Sequence, residues 1–135
     1  MVDNKIIQII RTNLKEYIVI DDVKAFPSNG SLKYIFRISS CYFEIIYSLT
    51  DNFYRIKLEK IINNETKDVI FLTKSKRFQK DIKLKLKNLK LSKKVFENHI
   101  YAFTNYISEI LKKYENLNYF DQTYISDMKF DGYFI

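Results

Sequence analysis

The apolar residues of this chain change period twice, and that change limits the fold more than any other feature. Ile6, Ile9, Ile10, Leu14 and Tyr17 recur at mostly three- and four-residue steps, the spacing of one buried helical face. From Tyr17 to Thr73 the pattern becomes runs of Ile, Val, Tyr and Phe, cut by Pro27-Ser28-Asn29-Gly30, Thr50-Asp51-Asn52 and Asn63-Asn64-Glu65-Thr66. These separators are turn formers: Gly and Asn tolerate positive φ, and Asp and Ser side chains bond nearby backbone. From Val95 the longer period returns in Val95, His99, Ile100, Phe103, Tyr106, Ile107, Ile110, Leu111 and Tyr114. Helix, strands, helix in that order predicts an α+β domain.

The expected elements are a helix over 4–15, capped by Asp3, and strands near 17–26, 31–39, 41–49, 53–62 and 67–73, with Ser39-Ser40 a bulge or a tight turn. Short links between successive strands imply an antiparallel meander of four to five strands. Ser92 is placed to cap a long helix over 93–114, which with the first helix covers one face of the sheet. Residues 74–90 fit either a helix or a strand. Lys, Leu and Gln favour helix there and β-branched residues are nearly absent, so a helix is expected. Two Gly and one Pro leave little room for long loops, and residues 1–114 read as a single domain. Residues 115–135 read as an extension without helical period. They carry Tyr119, Phe120, Tyr124, Ile125, Met128, Phe130, Tyr133, Phe134 and Ile135, too apolar for a solvated tail, so they pack on this domain or on a partner.

Ile, Lys, Asn, Tyr and Phe are all written with A/T-rich codons, which raises Lys everywhere and makes its position more informative than its number. The formal net charge is +7, and nearly all of the excess comes from Lys74, Lys76, Arg77, Lys80, Lys83, Lys85, Lys87, Lys90, Lys93 and Lys94. Only Asp81 answers these ten cations within the segment. A merely solvated helix usually pairs Lys with Glu at four-residue spacing. A segment that repels itself is relieved by a polyanion, because each neutralised phosphate releases counterions. The bland alternative is a solvated face, or one neutralised by Asp121, Asp127 and Asp131 of the C-terminal stretch.

Little else in the inventory carries chemistry. One His and one Cys supply no Cys/His zinc site, and Gly30 and Gly132 alone cannot write a glycine-rich phosphate loop. Cys41 and His99 each lie in apolar runs, where packing is the simpler role. Asp21, Asp22 and Lys24 with Glu44, Glu59 and Asp68 are the one set that resembles a Mg²⁺ nuclease centre, but acids on strand faces are common. The strand aromatics Tyr34, Phe36, Tyr42, Phe43, Tyr47, Phe53 and Tyr54 are expected mostly in the core. No cofactor is implied. The lone cysteine, the absence of an apolar run of membrane-spanning length and an acid- and Asn-bearing N-terminus predict a cytoplasmic chain with no membrane partner.

The leading expectation is a small non-enzymatic binding protein that sets residues 74–94 against nucleic acid or a nucleoprotein. Lys is a point charge, so contact would be mainly to backbone and weakly sequence-selective. The alternative is a protein-binding module or inhibitor, of a kind compatible with phage or mobile-element origin. It would act, or self-associate, through Tyr119, Phe120, Tyr124, Phe130, Tyr133 and Phe134.

Overall fold

The computed structural model describes residues 4–18, 23–28, 30–48, 53–62, 64–83 and 91–126. Helix α1 spans Asn4–Leu14 and buries Ile6, Ile10 and Leu14, as the four-residue spacing requires. Five strands follow: β1 Lys24–Ser28, β2 Ser31–Ile38, β3 Cys41–Ser48, β4 Phe53–Ile62 and β5 Glu65–Phe71. They form one antiparallel meander in sequence order. A 3₁₀ turn (Leu72–Lys74) leads into the short helix α2 (Lys76–Asp81), and the long helix α3 runs from Lys93 to Tyr114. A last helical turn, α4 (Asn118–Phe120), continues into a wider π-type turn, Asp121–Ile125. The α+β arrangement of N-terminal helix, meander sheet and C-terminal helices is the one the change of period predicts.

The links obey the turn chemistry. Ile38 pairs with Cys41 across a two-residue connection in which Ser39 has φ 54°, so Ser39-Ser40 is a tight turn. Ser28 pairs with Ser31, and Gly30 takes φ 81° there, a conformation that costs an L side chain and costs Gly little. Alternation along the strands divides the sheet into two faces. Tyr34, Phe36, Ile38, Cys41, Phe43, Ile45, Tyr47, Tyr54, Ile56 and Leu58 are buried. Helix α3 lays Phe96 flat on Tyr47, with centroids 3.9 Å apart, and sets Phe103 edge-on to Phe43. Helix α1 rests against α3, where the Asn13 amide donates to Thr104 Oγ1 at 2.9 Å.

Several boundaries differ from expectation, among them β5, expected over 67–73 and found at Glu65–Phe71. The first strand was expected from Tyr17, yet β1 starts at Lys24. Tyr17 and Ile18 instead donate their N–H groups to Leu14 O and finish α1, with Ile18 making only an isolated bridge to Ile38. The strand also runs through Pro27 and Ser28, which were expected in the turn; an outermost strand tolerates Pro. Of the helix expected over 74–90, the described residues carry Lys76–Asp81. It starts at Ser75, whose hydroxyl accepts from Phe78 N, and stops where Lys83 takes φ 59°; residues 84–90 lie outside the described residues. The C-terminal stretch, expected to lack helix, is helical over 118–125. Leu117, Phe120 and Tyr124 are buried at three- and four-residue spacing, a short helical signal present in the sequence.

Candidate functional site

Two contacts fix where the basic segment sits. Thr73, just past β5, accepts a long hydrogen bond from Ile56 N through Oγ1, and the Lys74 ammonium stands 5.3 Å from the centre of the Phe71 ring. The segment therefore leaves the sheet at the end where β3 and β4 pair Tyr47 with Tyr54. Phe96, one turn into α3, packs on those same two tyrosines. Lys74 and the start of α3 thus lie toward the same end of the sheet. Lys74, Lys76, Arg77, Lys80, Lys83, Lys93 and Lys94 are all exposed. Lys85, Lys87 and Lys90 lie outside the described residues.

The local electrostatics run against helix preference. Neither α2 nor α3 has an acid in its first turn, and both have two cations there: Lys76 and Arg77 in one, Lys93 and Lys94 in the other. Helix N-termini carry the positive end of the backbone dipole, which acids normally complement. Glu97 stands on the next turn of α3.

The one acid of the segment faces the other way. Asp81 Oδ2 accepts from Tyr124 OH at 2.7 Å and from Tyr106 OH at 2.9 Å, and Tyr106 OH also meets Tyr119 OH at 3.1 Å. Burial, with this carboxylate and the neighbouring hydroxyls adding to it, pushes the Tyr124 phenol far above its usual range; burial likewise pushes up Tyr106. Asp81 thereby ties α2 to α3 and to the C-terminal turn. Asp121, a candidate neutraliser of the basic segment, instead pairs with Lys60 of β4, whose ammonium also donates to Asn118 Oδ1. Asp127 and Asp131 lie outside the described residues.

The other candidates separate. Glu44 and Glu59 are neighbours, but Lys57 lies between them at 3.5 and 2.8 Å, and Lys33 is 3.9 Å from Glu44. The hydrogen bond to Glu59 is the main reason the Lys57 ammonium titrates above its ordinary value. Glu44 and Glu59 line a shallow 350 Å³ cleft with Ile35, Tyr42 and Ile61. Asp68 is exposed on β5, Lys24 is on β1, and Asp21 and Asp22 lie outside the described residues. Among the described residues no three Asp, Glu, His or Cys side chains gather as a metal site would need.

Cys41 is buried opposite Lys60, and burial raises its thiol. His99 Nδ1 is 3.0 Å from Tyr54 OH. Six residues of β4 separate Lys60 from Tyr54, about 20 Å of strand, so the thiol and the imidazole are at opposite ends of the sheet. Of the C-terminal aromatics, Phe120 and Tyr124 are wholly buried in the chain's own core and offer no surface to a partner. Tyr119 is partly buried against Tyr114 and Tyr124; Phe130, Tyr133 and Phe134 lie outside the described residues. Among the described residues, no helix is long and apolar enough to cross a membrane.

No family model, no curated protein and no solved structure matches this chain.

Proposed function

We propose that this protein is a non-enzymatic nucleic-acid or nucleoprotein binder whose contact surface is built from residues 74–94. The observation that supports this reading is that Lys74 and the cationic first turn of α3 lie toward one end of the sheet, with Asp81, the acid of the segment, turned inward onto two tyrosine hydroxyls. Exposed cations at 74, 76 and 77 and at 93 and 94 then stand toward the same end of the sheet. Two positive helix ends add to their potential. A chain of phosphates relieves the repulsion along its whole length, and Lys-dominated contact implies weak sequence preference.

Fluorescence anisotropy with labelled DNA and RNA between about 50 and 200 mM salt tests this directly. The expected result is binding that weakens steeply with salt. Charge reversal at Lys83, Lys85 and Lys87, or at Lys76, Arg77 and Lys80, should weaken binding and flatten the salt slope by about 0.9 for each phosphate contact removed on a duplex. Unchanged affinity in both triple variants, with the far-UV spectrum intact, rules this surface out.

A further inference from the structure

The face of the sheet turned away from the helices continues the basic surface and adds aromatic rings to it. The helices make their ring contacts with the inward residues Phe43, Tyr47 and Tyr54. On the opposite face, strand register sets Phe26, Lys33, Ile46 and Arg55 side by side across β1 to β4. One step further toward the Tyr47–Tyr54 end, Ser28 pairs with Ser31 and Ser48 with Phe53. Phe26 is 45% exposed and Phe53 38%, two of the four most open large apolar side chains among the described residues.

These rows run into the basic segment. The Arg55 guanidinium lies 5.2 Å from the centre of the Phe71 ring, and the Lys74 ammonium approaches the same ring at 5.3 Å. Arg55 Nε is buried with no acceptor among the described residues. No acid stands on either row among the described residues; Glu44 and Glu59 lie further along the strands, Glu44 between Lys33 at 3.9 Å and Lys57 at 3.5 Å, and Glu59 against Lys57. Two exposed rings are therefore set among Lys33, Arg55 and Lys74 at the same end of the sheet as Lys93 and Lys94.

We propose that this face takes the bases of a single-stranded nucleic acid, stacked on Phe26 and Phe53, with its phosphates on Lys33, Arg55 and the basic segment. The inference rests on the reading of residues 74–94 as a nucleic-acid surface and names the form of nucleic acid. Phe26 and Phe53 are three strand spacings and one row apart, about 16 Å, a gap that a few nucleotides cross. A duplex keeps its base faces stacked on one another and has no use for exposed rings, whereas every unpaired base offers a π-face. Cations interleaved with rings serve both halves of a nucleotide.

The test compares a short labelled oligothymidylate with a duplex of the same length by anisotropy, using the wild type, the double variant Phe26→Ala/Phe53→Ala, and the triple variant Lys76→Glu/Arg77→Glu/Lys80→Glu. The wild type should prefer the single strand. The double variant should lose at least about thirtyfold in single-strand affinity with duplex binding and far-UV spectrum unchanged. A double variant that holds the oligothymidylate as the wild type does, while the triple variant releases it, overturns the stacking face and leaves the basic segment standing. Absence of wild-type binding to either form removes both. A change in the sedimentation of the double variant with oligonucleotide binding intact assigns the face to contacts between copies and equally overturns the proposal.

Discussion

The two ends of the sheet differ in how packing and charge are combined. At the Cys41–Lys60 end, the chain closes on itself: Phe120 meets Phe43 edge-on, Leu117 and Tyr124 are buried, and Lys60 is held by Asn118 and Asp121. At the Tyr47–Tyr54 end, the inward side is packed by Phe96, and among the described residues the outward side carries the cations Lys33, Arg55 and Lys74 and the exposed ring of Phe53. Apolar burial and ion pairing coincide at the first end. At the second they are separated, with acids absent from the first turns of both adjoining helices. A sequence that sets a local preference aside at one place, and elsewhere follows it, marks the exception as the place to look for function.

The largest expected effect breaks this comparison most directly. Truncation after residue 116 removes Leu117, Phe120 and Tyr124 from the core and should leave a chain that does not fold. The milder Phe120→Ala should cost about 3–5 kcal/mol, the usual range for a buried Phe cut back to Ala. Phe53→Ala, at the open end, should cost about 1 kcal/mol at most. Urea unfolding of both single variants checks the difference. Equal losses would mean that the two ends share one packing role and that the open rings are core after all.

A smaller effect concerns the bond that connects the ends. Tyr124→Phe removes one of two hydroxyls donated to Asp81 and should cost about 1.5–3 kcal/mol, as bonds to charged groups do. The same tyrosines make the fold sensitive to alkali. Burial is the first cause of the upward shift at Tyr54, Tyr106 and Tyr124, so the unfolded chain ionises its phenols near pH 10 while the folded chain keeps these three protonated. The stability they contribute is complete below about pH 10 and is lost as pH rises toward the folded-state values. A melting temperature that falls from pH 9 to pH 11, and falls less in Tyr124→Phe, is the expected record. Identical alkaline slopes would mean that Tyr124 is not the group that senses pH.

The fold was legible wherever one element carried its own period. Helices α1 and α3 and strands β2 to β4 lie within a residue or two of where spacing and turn residues place them. The misplaced parts depended on something non-local. Strand β1 shifted toward Pro27 because an edge position excuses the missing donor. Segment 74–90 divided at Ser75 and Lys83, one a cap and the other a left-handed stop that no residue type announces. Leu117, Phe120 and Tyr124 were spaced as a helix, but over only two turns among residues of no clear period. For the candidate site, the cluster of cations was legible and its surroundings were not. Asp81 faces Tyr106 and Tyr124, 25 and 43 residues away. That Phe26 and Phe53 share a face with Arg55 follows from register across four strands, which no local pattern contains.

The smallest prediction lies at the open end, where His99 meets Tyr54 on the inward side of the same strands that carry the cations. Partial burial holds the imidazole below its ordinary value, so at neutral pH it adds no charge to that end. A depressed histidine means that the unfolded chain takes up its proton first as pH falls. Stability is therefore complete above about pH 6.5 and declines as acid approaches the folded-state value. His99→Gln keeps an amide for Tyr54 OH and cannot titrate. Its melting temperature should fall less than that of the wild type between pH 7 and pH 5, with the alkaline slope unaltered. A variant with the wild-type acid slope would mean that His99 is not the group that senses acid.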